Sequence, residues 1–393
     1  MSQATKDAPA AKGEEKKIVY RPFRVGVQDT DDEPYDVTTT LGSAPRWLTP
    51  QYDIPSTGFL NDVYVLVENQ ATNTATATGT GAVGVLAEDG PYSAIASLTF
   101  TDTSSSEIIG PITGYDLYII DKWGGYMFQD DPEASSDLFS SSSNATASAA
   151  DAGSFLFFLR IPAQLVPRDA LGTLPNKSQS TPYKVKIQIA AKADVYVNAA
   201  TPDGEIRVRM VPASYWEPTA VDGSGNPVSP QPPAVNTTQY WSKNEYQHPG
   251  GKFTIPLTNS VGYPVRNLVF IERTDGSRAD GEGDFPTDDF ILQLQSNIIF
   301  NRFKGYWLKR MLEDYGYGPI GDGAGQKDNG VYVLPFCRDF GPKPGWETRR
   351  GYLRTSDGMK LLAKGTWDDT GVTTVLTNYV GIGAGSSLAA VTT

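Results

Sequence analysis

The chain carries a single histidine and a single cysteine, and these set the limits on its chemistry. His248 alone cannot supply a two-histidine metal site or an HExxH helix, and Cys337 alone cannot form an intramolecular disulfide or a Cys-rich zinc site. A Ser-His-Asp triad would have to use His248, and no GxSxG surrounds a serine. His248 stands in "YQHPG" before a Pro-Gly pair and reads as an ordinary loop residue. Cys337, next to "VLPF", reads as a buried small hydrophobe. Carboxylates cluster in "DTDDEPYD" (Asp29 to Asp36) and "DGEGDFPTDD" (Asp280 to Asp289). Calcium binding or paired-carboxylate glycoside hydrolysis would use such runs. Neither run has the EF-hand spacing, so both read as acidic surface loops. "DGSGN" (222–226) shares a fragment of the calcium-loop pattern, and "GPIGDGAGQKDNG" (318–330) lacks the Gly-Lys-Ser/Thr ending of a phosphate loop. Aromatic residues are 11% of the chain, enough for a sugar-binding face, although sandwich cores use them too. The sequons at Asn144, Asn176 and Asn236 carry little meaning without a secretion signal. No catalytic, cofactor or metal residue emerges, and the chain reads as non-enzymatic.

The elements that would position any such residues are strands. "GFLNDVYVLVEN", "YSAIASLTFTD", "SFLFFLRIP" and "GEIRVRMVP" are strand-like. In "KVKIQI" the residues Lys184, Lys186 and Gln188 alternate strictly with Val185, Ile187 and Ile189, which predicts a half-buried strand. Low-complexity stretches at 69–84 and 133–153 read as solvated loops. A short helix is predicted over 114–123. A second is predicted in "NRFKGYWLKRMLEDYG", where Phe303, Trp307, Met311 and Tyr315 share one face and Gly316 suits the C-terminal cap. That face is expected to pack the second sandwich. Arg302, Lys304, Lys309 and Arg310 form a basic face, solvated or in contact with a subunit. "DGSGNPVSPQPPAV" is of linker type and marks a boundary. The predicted organisation is an N-terminal arm (1–30), a first jelly roll (31–215), a linker or loop (216–248), a second jelly roll (249–380) and a tail (381–393). The fold class is all-β: two tandem eight-stranded jelly rolls, each with a short helix.

Net charge is −12. Residues 1–205 hold 14 Lys+Arg against 26 Asp+Glu, whereas residues 206–393 hold 19 of each. Such a surface does not attract a phosphate backbone, so no direct nucleic-acid partner is expected. No apolar signal region and no run of about 18 apolar residues is visible, which suggests synthesis in a cytoplasm and contact with a membrane, if any, from its surface. Residues 1–17 read as disordered. In the next segment Lys16, Lys17, Arg21 and Arg24 mix with apolar residues that include Phe23. Two readings fit: an arm that touches an anionic lipid surface or a neighbouring subunit, or an edge strand accommodating Pro22.

The order of segments resembles tectivirus-type double jelly-roll major capsid proteins. The resemblance is carried by "YDIPSTGFLNDVYVLVEN", "TGYDLYIIDKWGG", "SFLFFLRIPAQLVPRDALGTLPNKSQSTPYKVKIQI" and "KGYWLKRMLEDYG" followed by "GVYVLPF", from about residue 18 to 380. It implies a homotrimer that forms pseudo-hexagonal capsomers and an icosahedral phage shell over an internal membrane. Penton and cement proteins would be further partners, and the protein would reside in the virion after synthesis in the host cytoplasm. Lys16, Lys17, Arg21, Phe23 and Arg24 would make base or membrane contacts. The long insertions 69–84, 133–153 and 216–249 would form towers or inter-subunit surface. Pro22 and Gly26 interrupt any long amphipathic helix at the N-terminus. Two alternatives share the fold: a carbohydrate-binding or carbohydrate-active protein, and a trimeric phage spike protein.

Overall fold

Lys184–Ile189 is the strand that its alternation predicts, with Val185, Ile187 and Ile189 turned into the core. The computed structural model describes residues 18–31, 35–72, 84–124, 126, 133, 137–142, 153–167, 170–177, 180–197, 203–233, 237–257, 262–278, 289–315, 327–337, 351–367 and 369–382. Residues 1–17 with Lys16 and Lys17, much of the 69–84 and 133–153 insertions, residues 280–288 of the second acidic run, Gly316 and the tail beyond 382 lie outside the described residues.

The first half contains β1 (Asp29–Asp31), β2 (Tyr35–Thr40), β3 (Arg46–Trp47), β4 (Tyr52–Asp53), β5 (Phe59–Thr72), β6 (Ile95–Thr101), β7 (Glu107–Ile112), α1 (Gly114–Trp123), β8 (Phe139–Ser141), β9 (Phe155–Pro162), β10 (Leu174–Pro175), β11 (Lys184–Ile189), α2 (Lys192–Val195) and β12 (Asp203–Tyr215). The second contains β13 (Thr237–His248), β14 (Gly251–Pro256), β15 (Val265–Thr274), β16 (Ser277–Arg278), β17 (Phe290–Leu294), β18 (Asn297–Arg302), α3 (Lys304–Tyr315), β19 (Val331–Pro335), β20 (Leu361–Trp367) and β21 (Gly371–Ile382).

In the first half β2-β12-β5-β9 faces β3/β4-β11-β6-β7. With β3 and β4 counted as one interrupted strand, the orders are 1-8-3-6 and 2-7-4-5. The second half repeats both orders as β13-β21-β15-β19 and β14-β20-β17-β18. Each half is therefore a jelly roll. Each carries its main helix at the same point, between the fifth and sixth strands of that scheme: α1 follows β7, and α3 follows β18. The two rolls share one ten-stranded sheet, because β7 and β13 pair in parallel at Ile109 and Trp241. One hydrophobic cluster runs through both halves, from Leu41 to Leu376.

Two expectations need correction. Residues 237–248 belong to the second jelly roll and not to a linker: β13 pairs with β21 along its whole length, from Thr237↔Ile382 to His248↔Gly371. Its buried face begins Thr237, Gln239, Trp241, so polar side chains occupy inward positions and conceal the apolar period. Phe303 is not on the core face of α3. It precedes the helix, its carbonyl accepts the Trp307 N–H, and its ring is 60% exposed. Trp307, Met311 and Tyr315 do form the buried face.

The two ends of the molecule differ. β12 ends beside the start of β5 and the end of β9. β13 begins at that same end, where the Gln239 amide donates to the carbonyls of Ala163 (3.1 Å) and Gln164 (3.0 Å). The arm, residues 216–233 and the end of β21 at Ile382 therefore share one end. The strand termini that flank the 69–84 and 133–153 insertions lie at the other, with Thr72 opposite Asp203 and Phe155 opposite Asn69. Residues 216–233 thus lie at the opposite end from the strand termini that flank those two insertions.

Candidate functional site

α1 is the element on which both halves close. All ten of its residues are buried. Thr113 Oγ1 accepts the Asp116 N–H (3.1 Å), and Asp116 Oδ2 accepts the Thr113 N–H (2.8 Å), a capping box that starts the helix. The second jelly roll holds the same end: Lys243 Nζ lies 2.9 Å from Asp116 Oδ2, and the Arg273 and Arg278 guanidinium groups lie over the Tyr115 ring at 5.4 and 5.1 Å. Burial pushes the Tyr115 hydroxyl far up from its ordinary pKa.

The last carbonyls of a helix lack intrahelical partners and carry partial negative charge. Here the second jelly roll supplies the donors. Asn267 Nδ2 (2.9 Å) and the Tyr315 hydroxyl (2.8 Å) donate to Trp123 O, and Arg266 Nη1 donates to Gly124 O (2.7 Å). Lys122 Nζ, 1% exposed, pairs with Asp328 Oδ2 at 3.0 Å. The Tyr126 hydroxyl donates to Gln239 Oε1 and accepts from Trp241 Nε1 (3.1 Å). Arg273 pairs with Asp89 (2.7 Å), and the Arg278 N–H donates to Glu88 Oε1 (2.9 Å). The joint is a hydrogen-bonded, charge-paired seam: Lys243, Arg273 and Arg278 of the second half meet carboxylates of the first, and Lys122 of the first half meets Asp328 of the second.

Asp121, on α1, accepts the Arg160 N–H through Oδ2 (2.6 Å), while its buried Oδ1 meets no partner. Burial pushes this carboxyl up to about 7, against the opposing hydrogen bond from Arg160. The fold binds the proton more tightly than the unfolded chain does. Stability therefore falls as pH rises from about 4 to about 7, by up to about 1.4 kcal/mol per pH unit, and the full cost stands above that window. Asp121→Asn is expected to remove this slope. Urea unfolding of both proteins at pH 5, 6, 7 and 8 checks it, and parallel pH profiles would refute the assignment.

His248 is not in a loop. It ends β13, is buried, and its Nε2 lies 2.7 Å from Glu272 Oε1. Glu272 Oε2 accepts from Thr373 Oγ1 (2.6 Å) and Trp367 Nε1 (3.0 Å), and burial raises the pKa of this carboxyl. The Trp367 ring lies 4.9 Å from the imidazole. This brace ties the β13 terminus to β15 and to the β20–β21 turn, and it offers no open position for a substrate. The groove beside it, about 630 Å³, is lined by Asp116, Lys243, Glu245, Arg273 and Asp89 among others. Its cations are paired: Lys243 with Asp116 and Glu245, and Arg273 with Asp89. Among the described residues no three His, Cys, Asp or Glu side chains converge to hold a metal ion. In "DGSGN", Asp222 Oδ1 accepts the N–H groups of Ser224 (2.9 Å) and Asn226 (2.8 Å), which closes a turn. Cys337 is buried with Leu165, Val166 and Tyr352.

The structure brings Arg21, Phe23 and Arg24 together on the arm, which lies along the 216–229 segment. The Arg21 N–H donates to Pro227 O (2.7 Å), Ser229 N–H donates back to Arg21 O (3.0 Å), and Arg21 Nε lies 3.5 Å from Asp222 Oδ2. Phe23 is turned inward, 2% exposed, with its ring edge-on to Phe59 at 5.1 Å. Arg24 stacks over Tyr215 at 4.3 Å and pairs with Asp29 at 2.8 Å. A Cβ at Gly26 would lie 2.6 Å from Val228 Cγ1, so this close approach needs glycine. The outward apolar residues at this end are Ile18, Val19, Tyr20 and Val25 on the arm and Trp216 and Val221 on the connection. Their exposure follows from the fold and is not visible in the basic-apolar pattern that singled out Phe23.

No protein-family model and no curated protein matches the sequence. Solved structures do match the fold. The PBCV-1 VP54 protein, in a crystal structure fitted into a reconstruction of the virophage Sputnik, is 11% identical with a TM-score of 0.60, covering 94% of this chain and 100% of that one. The STIV MCP is 12% identical with a TM-score of 0.57, covering 90% and 98%. A chain in the atomic structure of Sulfolobus Turreted Icosahedral Virus is 12% identical with a TM-score of 0.58, covering 93% of each chain. At these identities the likeness is one of fold, and it extends over both jelly rolls.

Proposed function

We propose that this chain is the major capsid protein of an icosahedral virus. The observation that carries the reading is the complete double jelly roll. Two rolls of identical strand order are fused through one sheet and locked on α1, across nearly the full length of capsid proteins of the same fold. A capsid subunit needs a stiff block with several lateral faces, and the seam supplies that stiffness. Its ion pairs and helix-end hydrogen bonds cross between the rolls at both ends of α1.

In this reading the chain forms homotrimers that present a pseudo-hexagonal outline, and the trimers tile the shell with penton and cement proteins as further partners. The end that carries the arm faces inward, toward an internal membrane. The outward Ile18, Val19, Tyr20 and Val25 beside Arg21 support that orientation, since apolar side chains next to cations suit an anionic lipid surface. A phage host of the tectivirus type belongs to the same reading. The net charge of −12 disfavours genome contact.

Light scattering on the purified protein, with negative-stain images of the same peak, tests it. The expected mass is about 128 kDa, three times the 42.5 kDa chain, with a hexagonal outline. A chain that stays monomeric at high concentration would overturn the reading.

A further inference from the structure

Within the chain, the first jelly roll offers its fifth strand, β7, and the second offers its first strand, β13; the two pair in parallel and α1, which follows β7, is covered completely. The equivalent pair is left open. β18 is the fifth strand of the second roll, and among the described residues it pairs only with β17. β2 is the first strand of the first roll, and among the described residues it pairs only with β12. Open strand edges are ready to pair with another chain. α3 follows β18 as α1 follows β7, yet only Trp307, Met311 and Tyr315 of α3 are buried. The uncovered surface is apolar: Ile298 is 59% exposed, Ile299 39%, Phe303 60%, Tyr306 37% and Leu312 51%.

We infer that this face, β18 with the outer side of α3, is built to receive the β2 edge of a second copy of the chain, in the manner of the internal β7–β13 seam. The inference rests on the capsid reading and names the surfaces through which the copies meet. Charge supports that occupant. Residues 302–315 carry Arg302, Lys304, Lys309 and Arg310 against Glu313 and Asp314, whereas the half that contains β2 holds 14 Lys+Arg against 26 Asp+Glu over residues 1–205. Three cations of the internal seam have the same sense, with Lys243, Arg273 and Arg278 of the second roll facing Asp116, Asp89 and Glu88 of the first, while the Lys122–Asp328 pair runs the other way. The contact joins two different surfaces, so each copy gives one and receives one, and copies add in a single direction until the ring closes.

Cysteine cross-linking in the full-length protein tests this. Cys337 is 1% exposed and does not compete. Thr38→Cys or Thr40→Cys is combined in one chain with Ile298→Cys, Ile299→Cys or Phe303→Cys, which samples the register. On oxidation at least one double variant is expected to give a ladder of covalent multimers on a non-reducing gel, absent from every single variant. In parallel, Ile298→Glu with Leu312→Glu is expected to keep the wild-type circular dichroism and to weaken assembly at least tenfold. If the multimer forms by light scattering while no double variant gives a ladder, or if the double-glutamate variant assembles as wild type does, the inference is overturned and the capsid reading stands. If no multimer forms at all, both fall.

Discussion

Trp307→Ala is expected to lower the free energy of unfolding by about 3–5 kcal/mol, the range for a large buried aromatic cut to alanine. Trp307 is 1% exposed. Its ring lies 4.6 Å from Phe290, 5.2 Å from Phe300, 5.2 Å from Tyr332 and 6.1 Å from Phe270, so four aromatic neighbours would lose contact at once. Its Nε1–H also donates to Val333 O at 2.8 Å, and the truncated side chain would leave that acceptor without this donor. Little in a roll built from strands on three sides can collapse into the resulting space, which puts the cost toward the upper part of the range. Phe303→Ala is the control: an exposed ring one residue before the helix should change stability by less than about 0.5 kcal/mol. Urea unfolding under dilute conditions, where the copies are separate, measures both. A Trp307→Ala cost below about 1 kcal/mol would show that α3 is not anchored in the core, and the surface proposed for the second copy would then lack its support.

The sequence makes the repeating parts legible and conceals the joint. Strands such as Lys184–Ile189 and the helix Gly114–Trp123 follow from local patterns, period two in one and a capped apolar run in the other. The double jelly roll could be read because those patterns recur in the same order in both halves. β13 escaped because Thr237 and Gln239 face inward where an apolar residue is expected, and its partner β21 lies more than 120 residues away. His248 looked like a loop residue because Pro249 and Gly250 follow it; the Glu272 that buries it is distant in sequence. The seam could not be read for a similar reason. Lys122, Asp116, Asp121, Arg266 and Glu272 are charged, and charge in a sequence is a signal for the surface unless a partner is known. Each of them is buried against a group from another element. The arm shows the converse: Phe23 was picked out as an outward contact by its basic neighbours, but the ring fills a gap beside Phe59 and Tyr215.

The seam itself yields the second large effect. Asp328→Asn is expected to destabilise the protein by about 3–5 kcal/mol, because it leaves the Lys122 ammonium buried without its counter-charge. The pair is closed to water on both sides, with side-chain exposures of 1% and 3% and a separation of 3.0 Å. The Tyr118 hydroxyl, 3.4 Å from Nζ, is neutral and distant and does not replace the lost charge. Lys122→Met with Asp328→Leu is the informative companion, since removing both charges at similar volume should recover most of the loss. That recovery would show that the cost comes from the stranded charge and not from disturbed packing. The position of the pair gives the result its bearing on function. Lys122 is on α1 in the first roll and Asp328 precedes β19 in the second, so the defect falls on the contact that makes two rolls one block. Unfolding monitored by tryptophan fluorescence should then broaden or split in Asp328→Asn, as the rolls cease to unfold together, and return to a single transition in the double variant. A single transition with a loss below about 1 kcal/mol in Asp328→Asn would mean that the shared sheet alone couples the rolls, and that the charges at the seam add little to the stiffness a shell subunit needs.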